Sequence, residues 1–188
     1  MPNVVLDVIK SRRSVRAYKE EQIKDEELEM ILEGGLWAPS GTNDQSWHFT
    51  VIQNKELLDD ISEKCKSVLK KSENEDISKL GGNEKLHIFY NAPTVILVSA
   101  NQQAVTPMED SSGAVENMLL VAESLSIGSC WVGIASPLFD DSELGPTYRE
   151  KCGIPENYKV MHAIPVGYKT MEHQNAPARK EHKINYIK

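Results

Sequence analysis

Apolar residues recur at helical spacing along much of the chain. The strongest pattern lies in residues 109–126, where Ala114, Met118 and Leu125 share one face and predict a central helix. This helix is expected to end at Ile127 and Gly128, because glycine readily adopts the left-handed conformation that closes many helices. Further helices are predicted from Asn3 to the SRR segment, from Asp25 to Gly34 and Gly35, over 55–69 and over 140–151.

The first of these predicted helices carries apolar residues at Val4, Val5, Val8 and Ile9. Their spacing predicts one face that packs inward, with Asn3 as the cap at the start of the helix. The arginine-rich segment that follows would lie at the C-terminal end of this helix.

Strands are predicted where apolar and β-branched residues form short runs. The run PTVILVSA at 93–100 is nearly all apolar and predicts a central strand buried on both faces. HFTVIQ at 48–53 and SCWVGIA at 129–135 predict two more strands. The last clear strand is predicted at 159–168, interrupted or edge-like at Pro165, because proline cannot donate to a β-ladder.

Helices and strands alternate without a clean βαβ period, which favours an α+β fold. With 188 residues and no linker, the chain is expected to form a single domain over 1–188. Residues 70–85 are rich in Ser, Glu, Asn and Lys, and predict a mobile insertion or a weakly packed helical excursion. Residues 169–188 are expected to form a C-terminal arm that frays unless it docks.

Net charge is the first constraint on function. The formal net charge of −7 disfavours a general attraction to nucleic acid or to an anionic membrane. No apolar run approaches the ~18 residues that span a bilayer. Cys65, Cys130 and Cys152 show no CxxC spacing, so neither a disulfide framework nor a zinc knuckle is expected. The chain is therefore expected to be soluble and cytoplasmic.

Three of the five arginines, Arg12, Arg13 and Arg16, lie within SRRSVRAY at residues 11–18. A guanidinium offers fixed donors for bidentate contact with phosphate or carboxylate. The segment therefore predicts an anion site, and a phosphate is the expected ligand. A solvated helix end is the alternative, since a helix C-terminus favours positive charge even without a ligand.

The segment APSGTNDQSWHF at 38–49 is a loop of small and amide residues. Asn43 and Gln45 can each donate and accept hydrogen bonds, which suits the edge of a heteroaromatic ring. A polar turn leading into a strand is the alternative interpretation.

Several common catalytic patterns are absent from the sequence. The five histidines form no HExxH motif, and there is no GxGxxG or GxxxxGK[ST]. Ser40 lacks the GxSxG context and Cys130 has no identifiable histidine partner, which leaves a covalent hydrolase as a minor hypothesis. Core packing is expected for Cys130, Trp131 and Trp47, rather than a nucleophilic role for the cysteine or a stacking role for the tryptophans. An anion site beside a loop suited to a heterocycle needs a cofactor to supply reactivity.

Four segments in order resemble the FMN-dependent nitroreductase family. They are SRRSVRAY, APSGTNDQSWHF, GAVENMLLVAESLSIGSCWVG at 113–133, and IPVGY at 164–168 followed by a basic pair. The resemblance runs from about residue 8 to about residue 180. It implies an α+β fold with a mostly antiparallel central sheet flanked by helices. It also implies an intertwined homodimer that holds FMN in the subunit interface.

The resemblance assigns cofactor-binding roles to four groups of residues. One subunit would hold the phosphate and ribityl chain, the loop would approach from the partner, a strand would line the ring system, and a basic pair would close on the phosphate. In that order, the residues are Arg12, Arg13, Ser14 and Arg16; Pro39, Ser40, Gly41, Asn43 and Gln45; Cys130, Trp131, Val132 and Gly133; and Arg179 and Lys180.

The activity implied by the resemblance is transfer of reducing equivalents from NAD(P)H through FMN to a nitroaromatic, a quinone or a similar acceptor. No side chain is expected to be catalytic, because the flavin carries the chemistry. The alternatives are an FMN-binding or sensing module without turnover, and a specialised flavin enzyme such as a reductive dehalogenase or a flavin-fragmenting enzyme.

Two positions depart from the family pattern. Ser46 stands where the family commonly has proline between glutamine and tryptophan, which predicts a less rigid loop. The basic pair lies in NAPARKEH, short of the prolines often found there, so Arg179 is the least supported phosphate ligand.

Overall fold

The computed structural model describes residues 2–171, 175–180 and 184–188 of the chain. Within these ranges one four-stranded antiparallel sheet has the order β1-β2-β4-β3. Its strands are β1 (Trp47–Ile52), β2 (Thr94–Asn101), β3 (Ile127–Ser129) and β4 (Tyr158–Tyr168). The helices are α1 (Val4–Ser11), α2 (Asp25–Leu36), α3 (Lys55–Leu69), α4 (Glu75–Gly82), α5 (Pro107–Ser124), α6 (Ser136–Asp140) and α7 (Gly145–Lys151). The predicted α+β class is confirmed.

Strand β2 divides the hydrophobic core into two layers. Val95 and Leu97 pack into the layer covered by α3, α6 and α7, whereas Ile96 and Val98 pack into the layer covered by α2 and α5. Successive side chains of a strand point to opposite faces, so a strand covered on both faces must be apolar throughout. The sequence prediction for 93–100 is therefore confirmed.

Helices α2 and α5 pack closely on one face of the sheet. A Cβ at Gly35 would lie 2.2 Å from Met118 Cε and 3.0 Å from Phe49 Cζ. Gly35 therefore permits close packing between α2, α5 and β1, and α2 continues through it to Leu36. This contact fixes α5, whose first turn supports the candidate site.

The prediction for Pro165 is wrong, because β4 passes through it without interruption between β2 and β3. The carbonyl of Pro165 accepts hydrogen bonds from Cys130 N and from the Tyr18 hydroxyl. The N–H and C=O of one residue point to the same side of an antiparallel strand. The missing donor of Pro165 therefore faces the backbone of Cys130, just beyond the end of β3, and the pairing resumes at Val132 and Ala163.

Two predicted helix ends also need correction. The left-handed residue after α5 is Ser126, with φ 62°, whereas Gly128 lies inside β3. The single helix predicted over 140–151 is divided between α6 and α7. Asp141 causes this break, since its backbone is extended and its side chain accepts hydrogen bonds from Glu143 N and Leu144 N.

Helix α1 has no buried residue, so the prediction that its apolar face packs inward is wrong for one chain. Asn3 caps the helix as predicted, by accepting a hydrogen bond from Leu6 N. Val4, Val5 and Ile9 are exposed. The helix therefore has the amphipathic pattern of a packed helix but leaves its apolar residues uncovered within the chain.

The segment 70–85 contains α4, which packs on the end of α3. Ser78 Oγ donates to Lys70 O at 3.0 Å, and Ile77 packs against the core layer that includes α3. A Cβ at Gly81 would lie 2.4 Å from Lys70 N, so the two backbones are in close contact. Of the two alternatives predicted for 70–85, the helical excursion is the one that the structure contains.

No helix within residues 2–171, 175–180 and 184–188 is both long enough and apolar enough to cross a membrane.

Candidate functional site

The arginine segment is attached to the edge of the sheet. Val15 N donates to Ser129 O and Lys19 N donates to Tyr168 O, each at 2.9 Å. The half-buried Tyr18 hydroxyl donates to Val15 O at 2.6 Å and lies 3.2 Å from Pro165 O. Residues 14–19 are thereby held beside β3 and the end of β4, and the arginines project from a fixed backbone.

Four of the chain's five arginines line one cavity of about 460 Å³. Arg12, Arg13 and Arg16 come from the N-terminal segment, and Arg179 comes from the C-terminal arm. Lys169, whose Nζ pairs with Glu123 Oε2 at 2.9 Å, also lines the cavity, and no acidic residue lines it within the described residues. In a chain of net charge −7, this cavity is a local concentration of positively charged side chains, which favours anions. Ser14 also lines the cavity, whereas Lys180 does not.

The three N-terminal arginines have different neighbours. Arg13 Nη1 donates to Lys10 O and Arg12 O at 2.8 and 2.7 Å, so this side chain closes the end of α1. Arg12 Nε lies 4.0 Å from Glu116 Oε1 on α5. The Arg16 guanidinium lies over the Tyr90 ring, and a hydrogen bond with Tyr90 raises the pKa of Arg16.

The segment Cys130–Gly133 continues from β3 beside the arginines, with alternating exposure. Cys130 and Val132 are buried, and Val132 exchanges two backbone hydrogen bonds with Ala163 of β4. Burial raises the pKa of the Cys130 thiol above its ordinary value, which favours a protonated core thiol over a nucleophile. Trp131 is 38% exposed, and Gly133 has open space where a side chain would be.

The indole of Trp131 is fixed by a hydrogen bond to His162. Its indole Nε1 donates to His162 Nδ1 at 3.0 Å, and the two rings meet edge to face. His162 Nε2 lies 3.3 Å from Ser112 Oγ on α5. Burial lowers the pKa of His162, which favours the neutral ring that this arrangement requires.

The loop 39–46 lies against the start of α5. Asn43 and Gln45 are exposed, and Gln45 Nε2 donates to Asn43 Oδ1 at 3.2 Å. Gly41 N and the Ser46 hydroxyl both donate to the buried carboxylate of Asp110. Ser46 is itself buried, and the lower rigidity of the loop expected from the absence of proline stays a prediction. The Ser46 hydroxyl gives this end of the loop a fixed attachment.

The structure does not bring all the predicted residues together in one chain. None of the described residues lining the arginine cavity belongs to 39–45. Three residues that support these segments were not predicted from the sequence: Asp110, His162 and Tyr90. Asp110 is part of an acidic first helical turn, and His162 lies in an apolar strand, so neither carried a recognisable motif.

No cluster of three or more His, Cys, Asp or Glu side chains able to hold a metal occurs among the described residues. His173 and His182 lie outside those residues, as do the other positions of the C-terminal arm at 172, 174, 181 and 183. Cys65, Cys130 and Cys152 are free and buried.

Comparisons with known proteins agree with the four sequence motifs. A protein of Archaeoglobus fulgidus is 35% identical over 168 residues, which cover 87% of this chain and 84% of the relative. Its name, NADH dehydrogenase/NAD(P)H nitroreductase, is marked as provisional. An iodotyrosine deiodinase of Thermotoga neapolitana is 27% identical over 176 residues, which cover 88% of each chain.

A crystal structure of a nitroreductase with bound FMN from Bacteroides fragilis superposes with a TM-score of 0.92 and 37% identity, covering 100% of both chains. The model of the nitroreductase family matches residues 9–168. This match includes the arginine segment, the loop, α5 and β4. The chain therefore belongs to the nitroreductase family, as its motifs predicted.

Proposed function

We propose that the chain is an FMN-dependent oxidoreductase that passes reducing equivalents from NAD(P)H to a nitroaromatic, a quinone or a similar acceptor. The observation that carries this proposal is the convergence of four of the five arginines on one cavity. Family membership gives the enzyme class. The FMN of the Bacteroides fragilis structure and the name of the Archaeoglobus fulgidus relative identify the cofactor and the reductant.

The residues of the cavity fit the phosphate end of FMN. Arg12, Arg16 and Arg179 present guanidinium groups, and no acidic side chain lines the cavity in the described part of the chain. Guanidinium and phosphate pair through charge-assisted hydrogen bonds, often in a bidentate arrangement. We assign Arg13 a lesser role, because its guanidinium already donates to the end of α1.

The ring system of the flavin would lie along the exposed positions of the segment Cys130–Gly133, which follows β3. Gly133 leaves open space, and Trp131 borders it with a fixed indole. The chemistry that FMN supplies when bound is redox, with reducing equivalents entering from NAD(P)H and leaving to the acceptor in a second step. The chain's own residues bind and orient the cofactor. Cys130 takes no part as a nucleophile, because it is buried and its thiol pKa is raised.

We further propose that the flavin is shared between two copies of the chain. No residue of the loop 39–45 lines the arginine cavity within one chain, and a second copy would bring the two together around one flavin. The apolar side chains of α1 are uncovered, and Trp37 beside the loop is 80% exposed. Contiguous exposed apolar residues are typical of protein interfaces. A homodimer would cover these residues and complete both sites.

The absorption spectrum of the purified protein tests the proposed function. We expect a flavin spectrum that bleaches when NADH or NADPH is added without oxygen, and that returns when a nitroaromatic or a quinone is added. Protein that is colourless and takes up no FMN would contradict the proposal. Flavin that stays bound but is not bleached by either nicotinamide would indicate a binding or sensing module instead.

Reductive dehalogenation is a second candidate, favoured by the deiodinase relative of Thermotoga neapolitana. The two functions differ in product and not in cofactor. Protein with reduced flavin should be mixed with 3-iodotyrosine and assayed for iodide. Iodide release faster than nitroaromatic reduction would favour the dehalogenase; no iodide would exclude it.

A further inference from the structure

The loop 39–46 has a strained backbone. Thr42, Asn43 and Gln45 have φ values of 52°, 60° and 47°, and none of them is glycine. Side chains with a Cβ disfavour this left-handed region, asparagine least and β-branched threonine most. Such a conformation persists only where the surrounding structure fixes it.

The strained residues lie between two attachments to one carboxylate. Asp110 is 2% exposed, and its Oδ1 accepts from Gly41 N at 2.9 Å, while its Oδ2 accepts from Ser46 Oγ at 2.8 Å. Thr106 Oγ1 also donates to Oδ1, at 2.8 Å. Gly41 is in close contact with this group, since a Cβ there would lie 2.1 Å from Thr106 Oγ1.

The ionised form of Asp110 is favoured at this position. Burial raises the pKa of the carboxyl, but the donors from Gly41, Thr106 and Ser46 outweigh burial and hold its pKa below its usual range. The first turn of α5, which contains Asp110, also favours negative charge. A buried carboxylate with three donors is a strong attachment, because losing it would leave the donors unpaired.

We propose that Asp110 is a positioning residue for the flavin. Its carboxylate holds both ends of the loop, so that the strained residues between them present Asn43 and Gln45 to the flavin ring system before the cofactor binds. Ser46 supplies one of the two attachments at the position where the family commonly has proline. This inference rests on the proposed function.

The test compares two ligands that share a ring system but differ in phosphate. FMN and riboflavin are titrated against wild-type protein, Asp110→Ala, Arg16→Ala and the matched control Ser111→Ala. Ser111 is a buried neighbour on α5 whose hydroxyl donates within the helix to Met108 O. We expect Asp110→Ala to weaken FMN and riboflavin by the same factor, at least tenfold, whereas Arg16→Ala weakens FMN alone. Ser111→Ala should change neither.

A merely structural role for Asp110 would lower stability and leave the affinity of the folded protein for both flavins unchanged. That result would overturn the inference and leave the proposed function standing. Wild-type protein that binds no FMN would overturn both.

Two milder variants keep the test decisive if Asp110→Ala does not fold. Asp110→Asn keeps an oxygen for Gly41 N and Thr106 Oγ1, and its amide can donate to the Ser46 hydroxyl. We therefore expect Asp110→Asn, unlike Asp110→Ala, to bind both flavins with near-normal affinity. Ser46→Ala should weaken both flavins severalfold, and unchanged binding in Ser46→Ala would overturn the inference.

Discussion

The indole Nε1 of Trp131 donates a hydrogen bond to Nδ1 of His162 across 3.0 Å. Since an indole nitrogen can only donate, Nδ1 must be unprotonated and the ring proton of neutral His162 must lie on Nε2. Nε2 lies 3.3 Å from Ser112 Oγ, which accepts the hydrogen bond of this proton. Trp131, β4 and α5 are therefore joined by one hydrogen-bonded chain that fixes the indole next to Gly133.

Replacing His162 by leucine tests whether this chain orients Trp131. We expect the free energy of unfolding to fall by about 2 kcal/mol, because leucine removes two hydrogen bonds that contribute about 1 kcal/mol each. The KM for the electron acceptor should rise, and FMN and riboflavin should weaken by the same factor, because the indole borders the proposed position of the flavin ring system and does not line the arginine cavity. Steady-state kinetics and flavin titration measure the two effects. Unchanged KM would show that the orientation of Trp131 does not matter; Ser112→Ala is the milder control.

Stability near neutral pH should depend on two histidines. Burial lowers the pKa of His162, and burial also lowers that of His87, although Asp59 acts in the opposite direction there. Below the ordinary histidine pKa of 6.5, the unfolded chain binds protons that the folded chain does not. The free energy of unfolding should therefore be constant above about pH 6.5 and fall as the pH drops toward the folded-state pKa values.

Chemical denaturation at pH 7.5 and at pH 5.0 measures this slope. His162→Gln and His87→Gln should each remove part of it, and the double variant should remove most. Asp110, whose pKa is lowered in the folded state, adds stability that is present above about pH 4 and lost only below it. A slope between pH 7.5 and 5.0 that persists in the double variant would mean that other groups control it.

Periodicity predicted the scaffold well, because most of its helices and strands bury a simple apolar face. Helix α3 has the predicted bounds, and β2 is buried on both faces as its apolar run requires. The errors occurred where long-range contacts decide local structure. Pro165 is tolerated in a central strand because only its own donor is missing while the pairs on either side remain, and no local pattern records that.

The binding segments of the site were predictable, whereas their supports were not. The arginines were found from clustering and the loop from its amide residues. Asp110 accepts a hydrogen bond from Gly41, 69 residues away in sequence, and His162 accepts one from Trp131, 31 residues away. Both roles therefore depend on the tertiary fold. The same holds for α1, whose apolar face is typical of a packed helix but lies uncovered in one chain.

The arginines should contribute unequally to FMN binding. Arg16→Ala removes a guanidinium that lines the cavity and is held by Tyr90, so we expect FMN affinity to fall about 10- to 150-fold, the equivalent of roughly 1.5–3 kcal/mol for a charge-assisted bond. Arg13→Ala should weaken FMN less, because Arg13 already donates to two carbonyls at the end of α1. Flavin fluorescence titration measures both.

Riboflavin is the control ligand for the arginine variants, because it lacks the phosphate. Its affinity should be unchanged in Arg16→Ala. An Arg16→Ala variant with wild-type FMN affinity would mean that the arginine segment is a solvated helix end, the alternative that the sequence left open.

Dimer formation should depend on the apolar residues of α1. Ile9 is 45% exposed in the single chain, so Ile9→Glu should change the folding stability of the monomer by no more than about 0.5 kcal/mol. In a dimer that covers α1, the same carboxylate would be buried without a partner, which we expect to weaken association by at least about 2 kcal/mol. FMN affinity should fall with it, because each flavin would lose the loop of the second copy.

Sedimentation at several protein concentrations, with and without FMN, measures both effects. Leu80→Glu on α4 introduces the same charge at a similarly exposed apolar residue and should leave the dimer intact. A wild-type monomer with full FMN occupancy would contradict the shared site.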